Sequence, residues 1–178
     1  QAVSRGLGDV YKRQVLNYEK AMRERNRLLK EKMTDGVWYK ALERQMAQNG
    51  LLIQSNRSAT LKKISSAQEN STTTFPIAEL SLSKANGDLT TDEDEFVKAL
   101  SENRHLDIMA GRTLIGPHRS DMEATYKEKG ISAKDSSTGE QKAMLISIVL
   151  ANARALKLEL GYPPCLLYTS DAADDDRG

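Results

Sequence analysis

The first 75 residues of the chain contain no proline, because all four prolines lie at or beyond Pro76. Proline inside a helix removes a hydrogen bond and clashes with the preceding turn, so its absence permits long helices. The same segment is rich in Lys, Arg, Glu, Gln, Leu and Met, which have high helix propensity. The sequence therefore predicts that this region is helical.

Two apolar stripes with helical spacing divide this region into two helices. The first consists of Tyr18, Ala21, Met22, Leu28, Leu29 and Met33, and the second of Trp38, Leu42, Met46, Ile53, Thr60, Ile64 and Ala67. The first helix is predicted to end near Met33 and the second to run from Val37 to about Asn70, kinked or split at Asn49 and Gly50. So short a turn makes the helices antiparallel, which fits either a projecting arm or half of an ordinary four-helix bundle.

Beyond residue 75 the pattern changes to mixed α and β. Strands are predicted over Pro76–Ser83, Arg112–Ile115, Met122–Tyr126 and Ile131–Ala133, with a turn at Asn86–Gly87 and a buried strand from Cys165. Helices are predicted from an N-cap at Thr91 to about Met109, and from the Ser-Thr-Gly segment near 137 to Gly161. We therefore expect an α/β fold, mainly helical overall, in which a mixed lobe carries an inserted antiparallel helical hairpin.

Four small residues, Ser136, Ser137, Thr138 and Gly139, stand directly before the last of these helices. One interpretation is an N-cap, because Ser and Thr accept hydrogen bonds from the free N–H groups of a first turn. The other is an anion site, because a helix N-terminus is partly positive and glycine permits close approach. The residues alone leave both open.

Charge and cysteine content exclude several classes of protein. The net charge is +1, but the segment from Tyr11 to Met33 has eight basic residues against three acidic ones. The single cysteine, Cys165, excludes an intramolecular disulfide, and His105 and His118 stand apart, so no metal site is expected. No apolar run is long enough to span a membrane, so we expect a cytoplasmic protein without a membrane partner.

Four motifs in order resemble the RecF family, the ABC-type ATPases of bacterial recombinational repair that are related to SMC proteins. They are "YEKAMRERNRLLKE", "WYKALERQMAQNGLLI", "GRTLIGPHRSDM" and "SSTGEQKAMLISIVLANA". The resemblance covers roughly Leu16 to Leu167. It implies that the last motif is the signature motif, which sits at a helix N-terminus and reaches the γ-phosphate of ATP on a partner subunit.

The resemblance also implies site residues. Ser137, Gly139 and Glu140 match the Ser, second Gly and Gln positions of the signature motif, and Thr138 stands at its first Gly. Lys142 matches a basic position, where it either assists the phosphate or only lies along the helix surface. Candidate DNA contacts on the first helix are Arg23, Arg25, Arg27 and Lys30, with a solvated face of ion pairs as the alternative. His118 and Arg119 are further candidates for nucleotide or DNA, the alternative for His118 being a structural hydrogen bond.

The sequence departs from the family in three places. No G-x-x-x-x-G-K-[ST] loop occurs, and no Asp-Glu follows the apolar run at Cys165–Leu167, so Walker A and Walker B are both missing. The two ends resemble translated adapter sequence. We therefore expect an internal fragment with non-native segments at 1–14 and 168–178, an arm at 15–74 and a lobe fragment at 75–167.

For the intact protein the resemblance implies an ATP-dependent homodimer, a weak ATPase using ATP and Mg²⁺, that binds DNA at gaps or single-strand/double-strand junctions. RecO and RecR are its implied partners, and the nucleoid its implied location. The fragment alone is expected to bind no ATP, since Walker A is missing. The alternatives are a non-catalytic helical-hairpin interaction module and another SMC-like ATPase.

Overall fold

A computed structural model of the chain describes residues 2–33, 35–83, 90–162 and 164. The helices are α1 (Ala2–Lys30), α2 (Gly36–Glu69), α3 (Glu93–Glu102), α4 (Arg104–Ala110) and α5 (Thr138–Leu160). The strands are β1 (Ala78–Leu82), β2 (Met122–Tyr126) and β3 (Ile131–Ser132). The turn predicted at Asn86–Gly87 and the strand predicted from Cys165 lie outside the described residues.

The helical hairpin is confirmed. Asp35 ends the connection by capping α2, with its carboxylate Oδ1 accepting the Val37 N–H at 2.9 Å. Far from this turn, Asn56 Nδ2 on α2 donates to Gln14 Oε1 on α1 at 2.9 Å. The two helices therefore stay side by side in antiparallel order from the connection to this pair.

A small antiparallel sheet of order β1-β2-β3 completes the mainly helical α/β fold that the sequence predicted. Leu80 of β1 pairs with Ala124 of β2, and Tyr126 of β2 pairs with Ile131 of β3. The β2–β3 turn ends at Gly130, whose φ of 64° is a conformation that glycine adopts at little cost. The strands predicted over Met122–Tyr126 and Ile131–Ala133 therefore pair with each other, the second being one residue shorter than predicted.

One hydrophobic cluster joins the hairpin to the segment that follows it. Its buried members come from α1, α2 and α3, and are Tyr18, Ala21, Met46, Ala47, Ile53, Phe96 and Leu100. The hairpin therefore packs on α3 over this length instead of standing free.

The side-chain amide of Gln68, buried at the end of α2, fixes the position of α5. Its Nε2 donates to Ala78 O at 2.9 Å and its Oε1 accepts from Ala78 N at 3.0 Å, which ties α2 to β1. The same Oε1 accepts from Ser147 Oγ of α5 at 3.3 Å. Because the amide bridges three elements, it holds α5 against the hairpin and the sheet.

The buried face of α2 differs from the predicted stripe. Trp38 is 63% exposed, whereas its neighbour Tyr39 is buried. Glu43 and Gln68 also lie on the buried face, because each is hydrogen-bonded within the protein. A stripe drawn from apolar residues alone was therefore wrong at the start of this helix.

The single helix predicted from Thr91 to Met109 is two helices. Asp92, not Thr91, is the N-cap, with its Oδ1 accepting Glu95 N at 2.9 Å. The break falls at Asn103, where Leu100 O accepts the Arg25 guanidinium at 2.8 Å. A continuous helix would use that carbonyl for the N–H of residue 104, so the contact with α1 favours the break.

The strand predicted over Arg112–Ile115 is also absent. The Thr113 N–H donates to Asn26 Oδ1 at 2.8 Å, and the Leu114 N–H donates to Asp107 Oδ1 at 2.9 Å. Because side chains take these two N–H groups, they are not used for strand pairing. The segment instead leads into a single 3₁₀ turn over Pro117–Arg119.

Gly50 does not split α2, which runs unbroken from Gly36 to Glu69. A Cβ at this position would lie 2.9 Å from Phe96 Cε1, 3.2 Å from Tyr18 Cε2 and 3.4 Å from Pro117 Cδ. The glycine is therefore required because α1, α3 and the loop before β2 all approach the α2 backbone here.

We predict that Gly50→Ala destabilises the chain by about 1–2 kcal/mol, because overpacking outweighs the gain in helix propensity. The matched control is Gly36→Ala, since a Cβ at Gly36 would meet no atom within 4 Å. Urea denaturation followed by circular dichroism measures both variants. An unchanged or increased stability of Gly50→Ala would contradict the close packing described here.

Candidate functional site

The N-terminal tip of α5 carries a reciprocal capping box. The Ser137 Oγ–H and N–H both donate to Glu140 Oε2, at 2.8 Å and 2.9 Å. In return, Ser137 Oγ accepts the Glu140 N–H at 3.4 Å. Without a bound ligand, Ser137 is therefore the N-cap of α5.

Glu140 is held as an anion at this tip. The Lys129 ammonium from the β2–β3 turn donates to its Oε1, and Ser137 holds its Oε2. The Lys129 contact first, then the hydrogen bonds from Ser137, lower the pKa of Glu140 to about 2. A carboxylate thus already occupies the positive end of the helix, where anions are favoured.

Gly139 has no packing role within the described residues. It lies in the first turn of α5 in helical conformation, and a Cβ there would meet no atom within 4 Å. Ser137, Thr138 and Lys142 around it are also exposed. Alanine has the higher helix propensity, by about 1 kcal/mol in a helix interior, and no packing among the described residues explains the glycine.

The donors at this tip fit a phosphate. The Ser137 hydroxyl, the Ser137 N–H and the Lys129 ammonium bind the Glu140 carboxylate in this structure, and the first N–H groups of α5 lie next to them. A phosphate has the same charge preference and accepts the same hydrogen bonds. An incoming phosphate would have to displace the Glu140 side chain.

The basic residues on α1 do not form a single surface. Arg23 and Arg27 are exposed and pair with Glu19 at 3.9 Å and Glu24 at 2.8 Å. Lys30 is exposed at the end of the helix. These three side chains can reach solvent, and two of them form the ion pairs of the alternative interpretation.

Arg25 does not face solvent, and its assignment as a DNA contact needs correction. Its side chain is 0% exposed, and its Nε donates to Glu43 Oε1 at 3.1 Å. Its Nη1 donates to Asp107 Oδ2 at 2.6 Å and to Thr113 Oγ1 at 2.8 Å. A guanidinium bound to protein acceptors in this way has no surface to offer DNA, so Arg25 joins the hairpin to α4 instead.

The partners of Arg25 were missed by sequence reasoning. Glu43 is fully buried and also accepts Arg104 Nε at 2.7 Å, so two arginines share its carboxylate. Asp107 accepts Asn103 Nδ2 at 2.7 Å besides Arg25. A signal was present, because Arg25 lies four residues after Ala21 and three before Leu28, on the predicted apolar stripe.

His118 is held by hydrogen bonds at both ring nitrogens. Nδ1 lies 2.8 Å from Tyr18 Oη, and Nε2 lies 3.1 Å from Thr113 O. Burial lowers the pKa of His118 below its ordinary value, so the imidazole is neutral at pH 7. These hydrogen bonds fit the structural alternative for His118, although both His118 and Arg119 keep exposed surface.

Two classes of site are not found in the part of the chain that the structure describes. No group of three or more His, Cys, Asp or Glu side chains there could hold a metal ion. Likewise, no described helix is long and apolar enough to cross a bilayer.

The chain is similar in sequence to curated proteins described as "DNA replication and repair protein RecF". It is 42% identical to that of Rhizobium meliloti over 173 residues, which cover 93% of this chain and 46% of the relative. It is 41% identical to that of Mesorhizobium japonicum over 174 residues, covering 92% and 45%. The chain thus spans about half the length of the relatives it matches, and no family model matches it.

Two solved structures have a similar fold. One, described as "Structure of the recombination mediator protein RecF-ATP in RecFOR pathway", has a TM-score of 0.74 at 22% identity and covers 95% of this chain and 48% of its own. The other, described as RecF-ATPrS in the same pathway, has a TM-score of 0.71 at 23% identity and covers 88% and 44%. The arrangement of hairpin, sheet and α5 therefore occurs in a known fold.

Proposed function

We propose that the chain, which belongs to the RecF family over the half of those proteins that it spans, is part of a DNA repair and recombination protein. The tip of its α5 is proposed to contact ATP on a partner subunit. Ser137, Thr138, Gly139, Glu140 and Lys142 are the proposed contacts. The intact protein is proposed to bind DNA and to dimerise when ATP is bound.

The observation that carries this proposal is the unexplained glycine at the helix tip. Gly139 lowers helix propensity, yet the space beside it is open. An external group that approaches the backbone of α5 would account for it. A bound phosphate is such a group, because it needs the N–H groups of the first turn without a Cβ in the way.

Bound ATP supplies the γ-phosphate, and the residues of this chain orient and neutralise it. The Ser137 hydroxyl is proposed to turn from Glu140 to the phosphate. Lys129, released from Glu140, and the exposed Lys142 supply positive charge. We propose that the intact protein uses Mg²⁺ together with ATP.

The remaining parts of the functional assignment rest on the family alone. We propose DNA gaps or junctions as the substrate, RecO and RecR as partners, weak ATPase activity for the intact protein, and a location in the cytoplasm at the nucleoid. The domain division into an arm at 15–74 and a lobe fragment at 75–167, with non-native segments at 1–14 and 168–178, stays a prediction.

An exposed apolar face on α5 fits a longer protein. Leu145, Ile146 and Val149 follow one another on the helix surface and are 60%, 41% and 42% exposed. Contiguous apolar patches of this kind mark interaction surfaces. Since the relatives are about twice as long, we propose that a further part of the intact protein covers this face.

The alternative is a non-catalytic helical-hairpin module, and the capping box favours it. Reciprocal bonding between Ser137 and Glu140 explains both residues without any ligand. It does not explain Gly139, which takes no part in the cap. The two functions therefore differ in what they predict for this glycine.

We predict that Gly139→Ala raises the stability of the chain by about 0.5–1 kcal/mol and reduces its ATP-dependent association with a full-length RecF relative at least tenfold. The added methyl group favours the helix but occupies the space proposed for the phosphate. Sedimentation velocity with and without ATP measures association. Gly36→Ala is the control, because it adds the same methyl group to an open position in α2. Equal association of Gly139→Ala and the wild type would contradict the proposal.

A further inference from the structure

The loop from α4 to β2 is fixed on the hairpin by contacts from both helices. Tyr18 of α1 bonds His118 at 2.8 Å, and Arg57 of α2 donates from Nη1 to Pro117 O at 2.7 Å. Inside the loop, His118 Nε2 donates to Thr113 O, since the neutral imidazole accepts at Nδ1 from the tyrosine hydroxyl. The 3₁₀ turn therefore has a defined position beside α2.

Three arginines converge on this turn from two separate segments. Arg57 reaches it from α2, Arg119 is its last residue, and Arg112 lies in the loop before it. Arg119 follows His118 directly, and Arg112 precedes Thr113, whose carbonyl accepts from His118 Nε2 at 3.1 Å. All three arginines are exposed.

None of these three arginines forms an ion pair with a carboxylate of the residues that the structure describes. Asp121, the nearest acidic residue in sequence to Arg119, turns its Oδ1 to the N–H of Met122 at 2.8 Å. Asp107 is buried against Arg25. The arginines therefore differ from Arg23 and Arg27, each of which is paired on α1.

We propose that Arg57, Arg112 and Arg119, here called the arginine surface, bind backbone phosphates of DNA. The inference rests on the proposed DNA-binding function and names a second contact area for it. Guanidinium groups form two parallel hydrogen bonds with a phosphate, and contacts of this kind position DNA without reading its sequence.

The arginine surface runs along α1 towards the basic residues of that helix. Arg57 and Arg119 lie at the turn beside Tyr18, whereas Arg112 precedes Thr113, which binds Asn26 next to Arg27 on α1. Twelve residues separate Tyr18 from Lys30, which is about 18 Å along a helix. A duplex that lay along this length would contact it over about five base pairs.

The test measures binding of the full chain to a fluorescein-labelled 30-base-pair duplex by anisotropy between 50 and 200 mM NaCl. We predict that Arg112→Gln/Arg119→Gln reduces the slope of log affinity against log salt by about 1.8, or about 0.9 for each lost phosphate contact. Lys98→Gln/Lys157→Gln, which removes two exposed charges from α3 and α5, is expected to leave the slope unchanged. Arg112→Lys/Arg119→Lys is expected to restore most of the slope, since it keeps the charges.

Three other outcomes would overturn, in turn, the arginine surface, the DNA-binding function and the assignment of DNA as the partner. If the wild type binds DNA and Arg112→Gln/Arg119→Gln binds with the same slope, the arginine surface is wrong while the DNA-binding function stands. If the wild type does not bind DNA at 50 mM NaCl, the proposed DNA-binding function fails and this inference with it. If polyglutamate competes through the same arginines with an affinity equal to that of DNA, the partner is an acidic protein segment and the assignment to DNA is overturned.

Discussion

Replacing Arg25 with alanine will lower the free energy of unfolding by about 3–5 kcal/mol, or abolish the cooperative transition, because it leaves buried carboxylate charge without a partner. The side chains of Arg25, Glu43 and Asp107 are all 0% exposed. Glu43 would keep Arg104, but Asp107 Oδ2 would lose the guanidinium that lies 2.6 Å away. Leu100 O would also lose its donor at the break between α3 and α4.

The matched control is Arg27→Ala, which removes the same residue type two positions later on the same helix. Arg27 is 64% exposed in its pair with Glu24, and exposed pairs contribute at most about 1 kcal/mol. Urea denaturation measures both variants. A loss for Arg25→Ala that is no larger than that for Arg27→Ala would contradict the buried network.

A second substitution isolates the charge from the lost packing. Adding Asp107→Asn to Arg25→Ala removes the unpaired carboxylate but keeps the shape of the side chain. We expect the double variant to be more stable than the sum of the two single losses by about 0.5–3 kcal/mol, as for residues in direct contact. Simple additivity would show that the two side chains do not interact.

Replacing Gly116 with alanine is the second change with a large expected effect, about 2–6 kcal/mol of destabilisation. Gly116 has φ 127° and ψ 176°, a backbone conformation that is essentially restricted to glycine. A Cβ at this position would also lie 2.4 Å from Tyr18 Oη and 3.3 Å from His118 Nδ1. The methyl group would therefore strain the backbone and push apart the Tyr18–His118 hydrogen bond.

Gly130→Ala is the control for the backbone part of this effect. Gly130 also has positive φ, at 64°, but a Cβ there would meet no atom within 4 Å. We expect it to cost about 1–2 kcal/mol. Thermal or urea unfolding of the two variants gives the comparison, and equal losses would mean that the contact with Tyr18 does not constrain Gly116.

Sequence patterns correctly predicted the elements that are determined by residues close together in the sequence. The hairpin follows from proline-free apolar periodicity and the break at Asp35–Gly36, and the β2–β3 turn follows from Gly130. The end of α5 at Leu160 follows from Gly161, whose φ is 77°. In each case the residues that determine the structure are neighbours in sequence.

The failures arose where a distant residue takes part. Asn26 and Asp107 bind the N–H groups of Thr113 and Leu114, so the apolar alternation there did not become a strand. Arg25 was assigned to the surface because of its charge, although its position on the apolar stripe indicated burial. Gly50 was interpreted as a helix interruption, because sequence cannot show which elements approach it.

The candidate site was predicted only in part. The helix start and the capping ability of Ser137 follow from residue type and spacing. The contact between Glu140 and Lys129 does not, because it depends on how the β2–β3 turn lies against α5. The Glu140 carboxylate in this contact occupies the position proposed for a phosphate, so phosphate binding requires the contact to break.

The central claim is that the tip of α5 meets a nucleotide held by a partner, and photocrosslinking tests it most directly. A full-length RecF relative loaded with an ATP analogue that carries a photoreactive group on the γ-phosphate is mixed with this chain, irradiated and mapped by peptide mass spectrometry. The account predicts crosslinks within residues 136–142 that disappear in Ser137→Arg. Crosslinks confined to other parts of the chain, or none from a mixture that associates, would contradict it.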